Sequence, residues 1–143
     1  GIPVFVTEKG GTEISSTASG NNGGLSSGVM SFDTWYFICG THEGLASGAD
    51  QYVYVGCPSA TDSSLYCVAL QASGEIMNTS AADLRIGRRY SNTLPFNGTI
   101  DDLIFYDKEL TALQSDGSVA ASGDKITSGE VLRNYNAGKR SHK

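Results

Sequence analysis

The stretch that decides the fold is Leu84-Arg-Ile-Gly-Arg-Arg-Tyr-Ser-Asn-Thr-Leu-Pro-Phe-Asn-Gly-Thr-Ile-Asp-Asp-Leu-Ile-Phe-Tyr106. It begins with a short apolar strand pattern, continues through a polar turn, and ends in a run of β-branched and aromatic residues from Phe96 onward, which favours a second strand. Gly98 inside that run is typical of a bulge or a close backbone approach. We therefore predict two strands joined by the turn, the second lying in the core.

Three spacings in this region are shared with a known family. They are L-x-I-G, then F-x-G-x-I-D-D-L-x-x-Y, then E-x-x-x-x-Y from Glu130 to Tyr135. This order resembles the C-terminal part of laminin G-like domains of the concanavalin A-like lectin/glucanase superfamily. The segment from Trp35 to Thr41 is similar to the W-Y-x-x-x-x-T segment of that family. The resemblance covers about residues 2 to 138 but lacks the opening strands of the family.

The resemblance implies an all-β fold. We expect one domain over residues 1–143, an antiparallel β-sandwich (a concanavalin A-like jelly roll) that is incomplete at its N-terminal side, with a short helix near residues 128–137. Either the chain is a C-terminal piece of a longer protein, or it is a compact version whose missing edge is covered in another way. Unpaired sheet edges recruit other strands, so we expect self-association or a partner chain.

Composition agrees with a single β domain. The 143 residues include 18 Gly and seven Tyr, and only 17% are charged, a mixture rich in turn and strand formers. The net charge of −5 argues against nucleic acid as a partner. No window reaches the apolar length of a membrane span, so we predict no membrane insertion.

Seven or eight strands are predicted along the chain. A hairpin turning at Gly10-Gly11 is followed by an exposed Ser/Gly-rich loop over residues 15–31, which contains almost nothing able to enter a core. Further strands are predicted at Asp33–Gly40, at the alternating Gln51–Val55 and at Ser64–Ala72. The expected core consists of Trp35, Phe37, Leu84, Ile86, Ile100, Leu103 and Phe105.

The C-terminal helix carries its own start signal. Thr127 and Glu130 have the spacing of a capping box, in which each side chain bonds the other residue's backbone amide. Val131, Leu132 and Tyr135 give the helix one apolar side for docking on the sandwich. Residues 115–124 form an insertion relative to the family pattern.

Three cysteines and two histidines offer little chemistry. Cys57 and Cys67 flank a loop that could bring them together as a disulfide, whereas Cys39 is expected to be a small buried residue. His42 is expected at a strand end, partly exposed, and with only two histidines no histidine-based metal cluster can be assembled. The redox compartment stays open.

Catalysis is not expected. Glycoside hydrolysis needs an acid and a nucleophile or base aimed at one bond, and the E-x-D-x-x-E arrangement of the related glucanases is absent from the sequence. The adjacent pair Asp101-Asp102 would point to opposite faces of a strand. We predict that the protein is not an enzyme and has no catalytic residues.

Metal binding depends on one aspartate. The resemblance implies that Asp101, in the G-x-I-D segment of the family, can contribute to a calcium site together with backbone carbonyls. The favoured alternative is that Asp101 tethers a neighbouring backbone amide and that the protein has no cofactor.

Sugar contact is predicted at the polar turn, because stacking rings and hydrogen-bonding amide or guanidinium groups are dense there. The alternative is a solvated turn with Tyr90 covering the sandwich edge. The predicted ligand-binding residues are Arg88, Arg89, Tyr90, Asn92 and Asn97.

The function that these observations favour is a non-enzymatic lectin-like carbohydrate-binding or adhesion module. Its alternatives are a structural protein–protein interaction domain without glycan binding and, less favoured, an inactive glucanase-like fragment. The closing segment from Asn134 to Lys143 is similar to the final domain of phage and marine-virus structural proteins. That similarity implies a virion or extracellular location, with a glycan or a neighbouring structural protein as partner.

Overall fold

The computed structural model describes residues 1–9, 12–43, 50–72, 86 and 96–141. These residues form antiparallel sheets and one short C-terminal helix, as predicted, and no described helix is long and apolar enough to span a membrane. The strands of the described part are β1 (Val4–Lys9), β2 (Thr12–Thr17), β3 (Phe37–His42), β4 (Asp50–Gly56), β5 (Leu65–Ala72), β6 (Ala112–Leu113) and β7 (Ser128–Gly129), and the helix is α1 (Glu130–Gly138). They pair as β1-β2, β3-β4-β5 and β6-β7.

The first hairpin is confirmed. Val4 pairs with Thr17 and Lys9 with Thr12 in an antiparallel ladder, so the chain reverses between Lys9 and Thr12, where the sequence has Gly10-Gly11. A glycine pair between two strand patterns tolerates the positive φ angles that a two-residue hairpin turn requires. The sequence therefore predicted the pairing of β1 with β2, while Gly10-Gly11 themselves lie outside the described residues.

Strand β4 lies at the centre of the molecule and is covered on both faces. Every residue from Gln51 to Cys57 is buried. Successive side chains of a strand point to opposite faces, so Tyr52 and Tyr54 enter one apolar cluster while Val53 and Val55 enter another. The predicted strand was correct, and the structure adds that both of its faces are covered.

The hairpin β1-β2 covers the valine face, so two antiparallel sheets pack face to face. The hydroxyl of Ser16 on β2 donates to the carbonyl of Gln51 on β4 at 3.3 Å. Phe5 on β1 lies so close to β3 that a Cβ atom at Gly40 would be 2.6 Å from the ring. The short turn around Asn22–Gly24 completes this cover, with Ala18 and Leu25 buried in the same cluster. The prediction that residues 15–31 form an exposed loop with almost nothing able to enter a core was therefore wrong.

The C-terminal third covers the tyrosine face. Tyr135 of α1 is 1% exposed, and its ring lies against Gly56, where a Cβ would be 2.8 Å away. The Tyr135 hydroxyl donates to the Ser63 carbonyl at 2.7 Å, and its ring centroid is 5.5 Å from that of Phe37. Val131 of the helix and four buried residues from the segment before it complete the cluster: Leu110, Ala112, Ala120 and Ile126.

Strand β5 contains a β-bulge that places two successive side chains on the same face. Val53 pairs with Ala69 but Tyr54 pairs with Cys67, so Val68 is the extra residue. A bulge of this kind places two successive residues against one on the partner strand. Val68 and Ala69 consequently both enter the valine-face cluster.

Helix α1 begins at Glu130 without the predicted capping box. Gly129 precedes it with φ 104° and offers no side-chain cap, and the Thr127 hydroxyl donates instead to the Leu113 carbonyl at 3.4 Å. The reciprocal pair forms with Thr111: its hydroxyl accepts from the Glu130 amide at 3.2 Å, and its amide donates to the Glu130 carboxylate at 3.2 Å. The predicted chemistry is present, but a threonine from another segment supplies it.

The predicted core strand from Phe96 to Tyr106 is not a strand in the structure. Its large side chains are exposed, with Leu103 at 50% and Phe105 at 66%. We call this set the apolar strip: Phe96, Ile100, Leu103, Ile104, Phe105 and Tyr106. A run of strand-forming residues is buried only where a sheet accepts it, and none of the described strands pairs with this segment.

The predicted core list was therefore wrong for most of its members. Phe37 packs against the tyrosine-face cluster, whereas Leu84 lies outside the described residues. Trp35, which precedes β3 and is 39% exposed, has no place in a sheet. The remaining members are also exposed: Ile86, Ile100, Leu103 and Phe105.

The cysteines of the structure are free thiols. Cys67 on β5 pairs with Tyr54 on β4. Cys57 comes three residues after Tyr54, and three residues of extended strand span roughly 10 Å. A disulfide requires Cα atoms within about 7 Å, so the register keeps Cys57 and Cys67 apart. His42 ends β3 as predicted, but it is buried rather than partly exposed.

Two leucines test this division between core and surface. We expect Leu65→Ala to lower the free energy of unfolding by about 2–5 kcal/mol, because Leu65 is fully buried and its loss leaves a cavity. Leu103→Ala, the matched control, should change it by no more than about 0.5 kcal/mol. Urea denaturation measures both values, and equal losses would place the apolar strip in the core.

Candidate functional site

Two carboxylates of one hairpin and a third from a distant segment lie near one another at one end of the sheet. Glu43 follows β3, Asp50 begins β4, and Glu109 belongs to the irregular segment before β6. We call Glu43, Asp50 and Glu109 the acidic cluster. The pairing of His42 with Gln51 places Glu43 opposite Asp50, while the approach of the 109–113 segment to the tyrosine face brings in Glu109.

Hydrogen bonds hold two members of the cluster in place. The Asp50 amide donates to the Glu43 carboxylate at 3.2 Å, and the Glu43 amide donates to the Asp50 carbonyl at 3.2 Å. The Tyr52 hydroxyl donates to the Asp50 carboxylate at 3.3 Å. Glu43 and Asp50 therefore help to close the β3-β4 hairpin, in addition to any contact with a ligand.

The surroundings of the cluster raise the pKa of two groups, Glu109 and Tyr52. Partial burial, followed by the negative charges of Glu43 and Asp50, raises the pKa of Glu109 above its ordinary value. Burial, together with Asp50 and the other two carboxylates, raises the pKa of Tyr52. Like charges at short range disfavour further ionisation, so this end of the sheet attracts cations and hydrogen-bond donors.

A small cleft opens beside the cluster. It has a volume of about 110 Å³ and is lined by two carboxylates, Glu43 and Glu109, and by mainly apolar side chains. Pockets that enclose a whole ligand measure roughly 300 Å³ or more, so this cleft admits only the edge of a larger molecule. Its walls are Glu43, Tyr54, Glu109, Leu110, Thr111, Ala112, Leu113 and Val119.

The ligand site predicted from the sequence lies mostly outside the described residues. Only Asn97 is described, and it is exposed in the irregular segment that carries the apolar strip. The structure therefore neither assembles nor separates the predicted set, which stays a prediction. The members that fall outside the described part are Arg88, Arg89, Tyr90 and Asn92.

Asp101 bonds the backbone amide next to it. Its carboxylate accepts the amide hydrogen of Asp102 at 2.9 Å, which is the tethering role favoured by the sequence. Calcium takes six to eight oxygen ligands, and among the described residues no group of three or more His, Cys, Asp or Glu side chains is placed to hold a metal ion. The calcium site therefore stays a prediction.

The thiols of Cys39 and Cys67 are not activated as nucleophiles. Burial raises the pKa of Cys39 to about 11 and that of Cys67 to about 12. Both side chains are thus neutral thiols at physiological pH, and only a thiolate is strongly nucleophilic. They act as small apolar residues beside Tyr54.

The family of the chain follows from comparison with known proteins. A sequence profile for laminin G, described under the concanavalin A-like lectin/glucanases superfamily, matches residues 2–114. The chain belongs to this family. No curated protein and no solved structure shows a significant match to it. The profile includes β1 to β6 of this laminin G-like domain, all three members of the acidic cluster, and every wall of the cleft except Val119.

Sequence reasoning missed the acidic cluster. One signal was available for two of its members, since a correctly registered β3-β4 hairpin puts Glu43 and Asp50 at the same end. No local pattern marks Glu109, because its position depends on how the 109–113 segment docks.

Glu109 and Glu130 should respond to pH in opposite directions. The raised pKa of Glu109 means that the folded state holds its proton more tightly than the unfolded state, so ionisation destabilises the fold as pH rises above about 4. Glu109→Gln should therefore raise the thermal midpoint at neutral pH. The gain in the free energy of unfolding should be no more than roughly 1 kcal/mol, because solvent screens this largely exposed group. This gain should vanish in acid.

Glu130→Gln is the matched control. The bond from Lys108, then that from the Thr111 amide, lowers the pKa of Glu130, so its ionised form stabilises the fold at neutral pH and this contribution is lost as pH falls. Glu130→Gln should lower the midpoint at neutral pH and lose its effect in acid. Scanning calorimetry across pH measures both, and a destabilising Glu109→Gln would contradict the repulsion described above.

Proposed function

We propose that this laminin G-like domain is a non-enzymatic carbohydrate-binding or adhesion module. The observation that carries the proposal is the family match over residues 2–114, together with a cleft that combines acceptor groups and apolar walls. Sugar hydroxyls donate hydrogen bonds to carboxylates, and the C–H face of a sugar ring packs on apolar side chains. The cleft size limits this contact to one edge of a sugar.

Charge selects the class of glycan. The acidic cluster repels carboxylated and sulfated sugars, and it accepts from neutral hydroxyls or from the ammonium group of an amino sugar. The turn predicted from Arg88 to Asn97 would have the opposite preference, because its two guanidinium groups pair with carboxylates and sulfates. The two candidate surfaces therefore predict different ligands.

Hydrolysis is not part of the proposal, although three carboxylates meet. A glycosidase places two carboxyl groups about 5–9.5 Å apart across the bond that it cleaves, which requires room for the sugar between them. The cleft of about 110 Å³ does not provide that room. Two members of the cluster are also engaged, Glu43 with the Asp50 amide and Asp50 with the Tyr52 hydroxyl.

A glycan array compares the two surfaces directly. Binding of neutral or amino sugars that is lost in Glu43→Gln/Glu109→Gln, but kept in Arg88→Ala/Arg89→Ala/Tyr90→Ala, assigns the ligand to the cleft. The reverse pattern, with acidic sugars, assigns it to the turn. Binding should persist with a calcium chelator, and a uniform loss with the chelator would restore the calcium hypothesis. Absence of binding to every glycan, or hydrolysis of a bound glycan that Glu109→Gln abolishes, would overturn the proposal.

A second candidate function is protein docking, which the apolar strip favours. Its six side chains are 46–66% exposed, and single exposed apolar residues are ordinary whereas a contiguous set marks an interaction surface. β3 is also an edge strand among the described residues. The occupant proposed is a second copy of this chain, in keeping with the predicted self-association.

The area of the strip indicates a weak dimer. Aromatic side chains bury roughly 150–250 Å² each and Ile or Leu bury less, so the six half-exposed side chains offer at most about 600 Å² per copy. The total of at most about 1,200 Å² is the lower limit for a stable interface. A virion or extracellular location, where glycans and repeated copies occur together, belongs to the same proposal and is supported by the resemblance of the closing segment.

Solution mass measured against concentration tests the docking proposal. We expect a monomer–dimer equilibrium that Ile104→Asp/Phe105→Asp shifts to monomer, because the strip then carries two desolvation penalties. Phe32→Asp is the control, since Phe32 is 91% exposed and lies outside the strip, and it should leave the equilibrium unchanged. A monomer at all concentrations, or equal effects of the two changes, would exclude a dimer formed through the strip.

A further inference from the structure

The chain contains two Asn-Gly dipeptides in very different surroundings, Asn22-Gly23 and Asn97-Gly98. Asparagine followed by glycine is prone to deamidation, because glycine has no Cβ to hinder the approach of its backbone nitrogen to the asparagine side chain. We infer that Asn97 is a site of spontaneous deamidation in the folded protein and that the fold protects Asn22.

The reaction needs only water. The Gly98 backbone nitrogen attacks Cγ of Asn97, a new C–N bond forms, and the side-chain nitrogen leaves as ammonia, giving a five-membered succinimide. Water then opens either C–N bond of the ring, which yields aspartate or isoaspartate. The net change is one amide and one water converted to one carboxylate and one ammonium ion, with no redox partner.

The surroundings of Asn97 permit this geometry. Asn97, Gly98 and Thr99 are all exposed, and the segment has no regular secondary structure. Among the described residues no hydrogen bond restrains the Asn97 side chain or the Gly98 amide. Rotation of the backbone to bring nitrogen and carbon together therefore breaks no hydrogen bond of the described residues and has only to displace the Phe96 ring, which lies against Gly98.

The surroundings of Asn22 oppose it. The side-chain nitrogen of Asn22 donates to the Gly123 carbonyl at 3.1 Å. This bond holds in place the group that would leave as ammonia. Gly23 is buried with φ 65°, and its backbone lies so close to β4 that an added Cβ would be 2.4 Å from the Val55 carbonyl oxygen. Reaction there requires this turn to separate from the central strand, a local opening with its own free-energy cost.

Deamidation at Asn97 changes a surface that the proposed functions use. It adds one negative charge to a chain that already carries −5, four residues from Asp101 and within the segment that carries the apolar strip. Asn97 also belongs to the predicted ligand-binding set. Aged protein should therefore differ in charge from fresh protein at this one position.

Peptide mass spectrometry after incubation in mildly alkaline buffer tests the inference. The tryptic peptide 90–108 reports Asn97 and the Glu-C peptide 14–43 reports Asn22, each by a gain of one mass unit located by fragmentation. We expect Asn97 to react at least roughly tenfold faster than Asn22, which corresponds to about 1.4 kcal/mol of opening free energy. Equal rates in the folded protein would overturn the inference.

Two controls separate the fold from the local sequence. In concentrated urea both dipeptides should react at similar rates, and a tenfold difference that persists there would show that the fold does not protect Asn22. Gly98→Ala should slow the reaction at Asn97 severalfold while leaving Asn22 unchanged, because the added Cβ hinders the attacking nitrogen. An unaltered rate at Asn97 in this variant would rule out the succinimide route.

Discussion

The burial of β4 on both faces is the constraint on which the rest of the structure depends. A strand whose side chains alternate between two apolar clusters needs two separate covers, and each cover must come from a distant part of the chain. The hairpin β1-β2 supplies one, and α1 with the segment before it supplies the other. Removing either would expose apolar surface on the central strand, at about 25 cal/mol for each Å².

Local irregularities let these covers fit. Gly40 leaves room for Phe5 on one face, and Gly56 leaves room for the Tyr135 ring on the other. The bulge at Val68 turns two successive β5 side chains to the valine face. The helix is then held by polar contacts as well as packing, since both Tyr135 and Lys139 donate to the Ser63 carbonyl. Each of these single-residue features helps the two covers to pack around β4.

The acidic cluster arises from the same arrangement. The β3-β4 hairpin sets Glu43 and Asp50 side by side, and the cover on the tyrosine face adds Glu109. Burial, followed by the negative charges of Glu43 and Asp50, raises the pKa of Glu109, so ionisation of this one group is unfavourable in the folded state. Hydrogen-bond donors of the proposed ligand would offset part of that cost.

The sequence by itself determined the features that depend on neighbouring residues. The glycine pair specified the first hairpin, the apolar runs specified β4 and β5, and the spacing of Val131, Leu132 and Tyr135 specified a helix with one apolar side. The family spacings added the class of fold. Each of these follows from backbone sterics or side-chain periodicity over a few residues.

Only the tertiary structure decided which segments meet. The composition of residues 96–106 indicates a preference for burial but not the presence of a sheet to receive it, so the predicted core strand was wrong. Thr111 rather than Thr127 bonds Glu130, and Glu109 joins two carboxylates from another hairpin, because docking across the whole chain places these groups. Contacts between distant segments are set by the packing of complete surfaces, which no short stretch of sequence encodes.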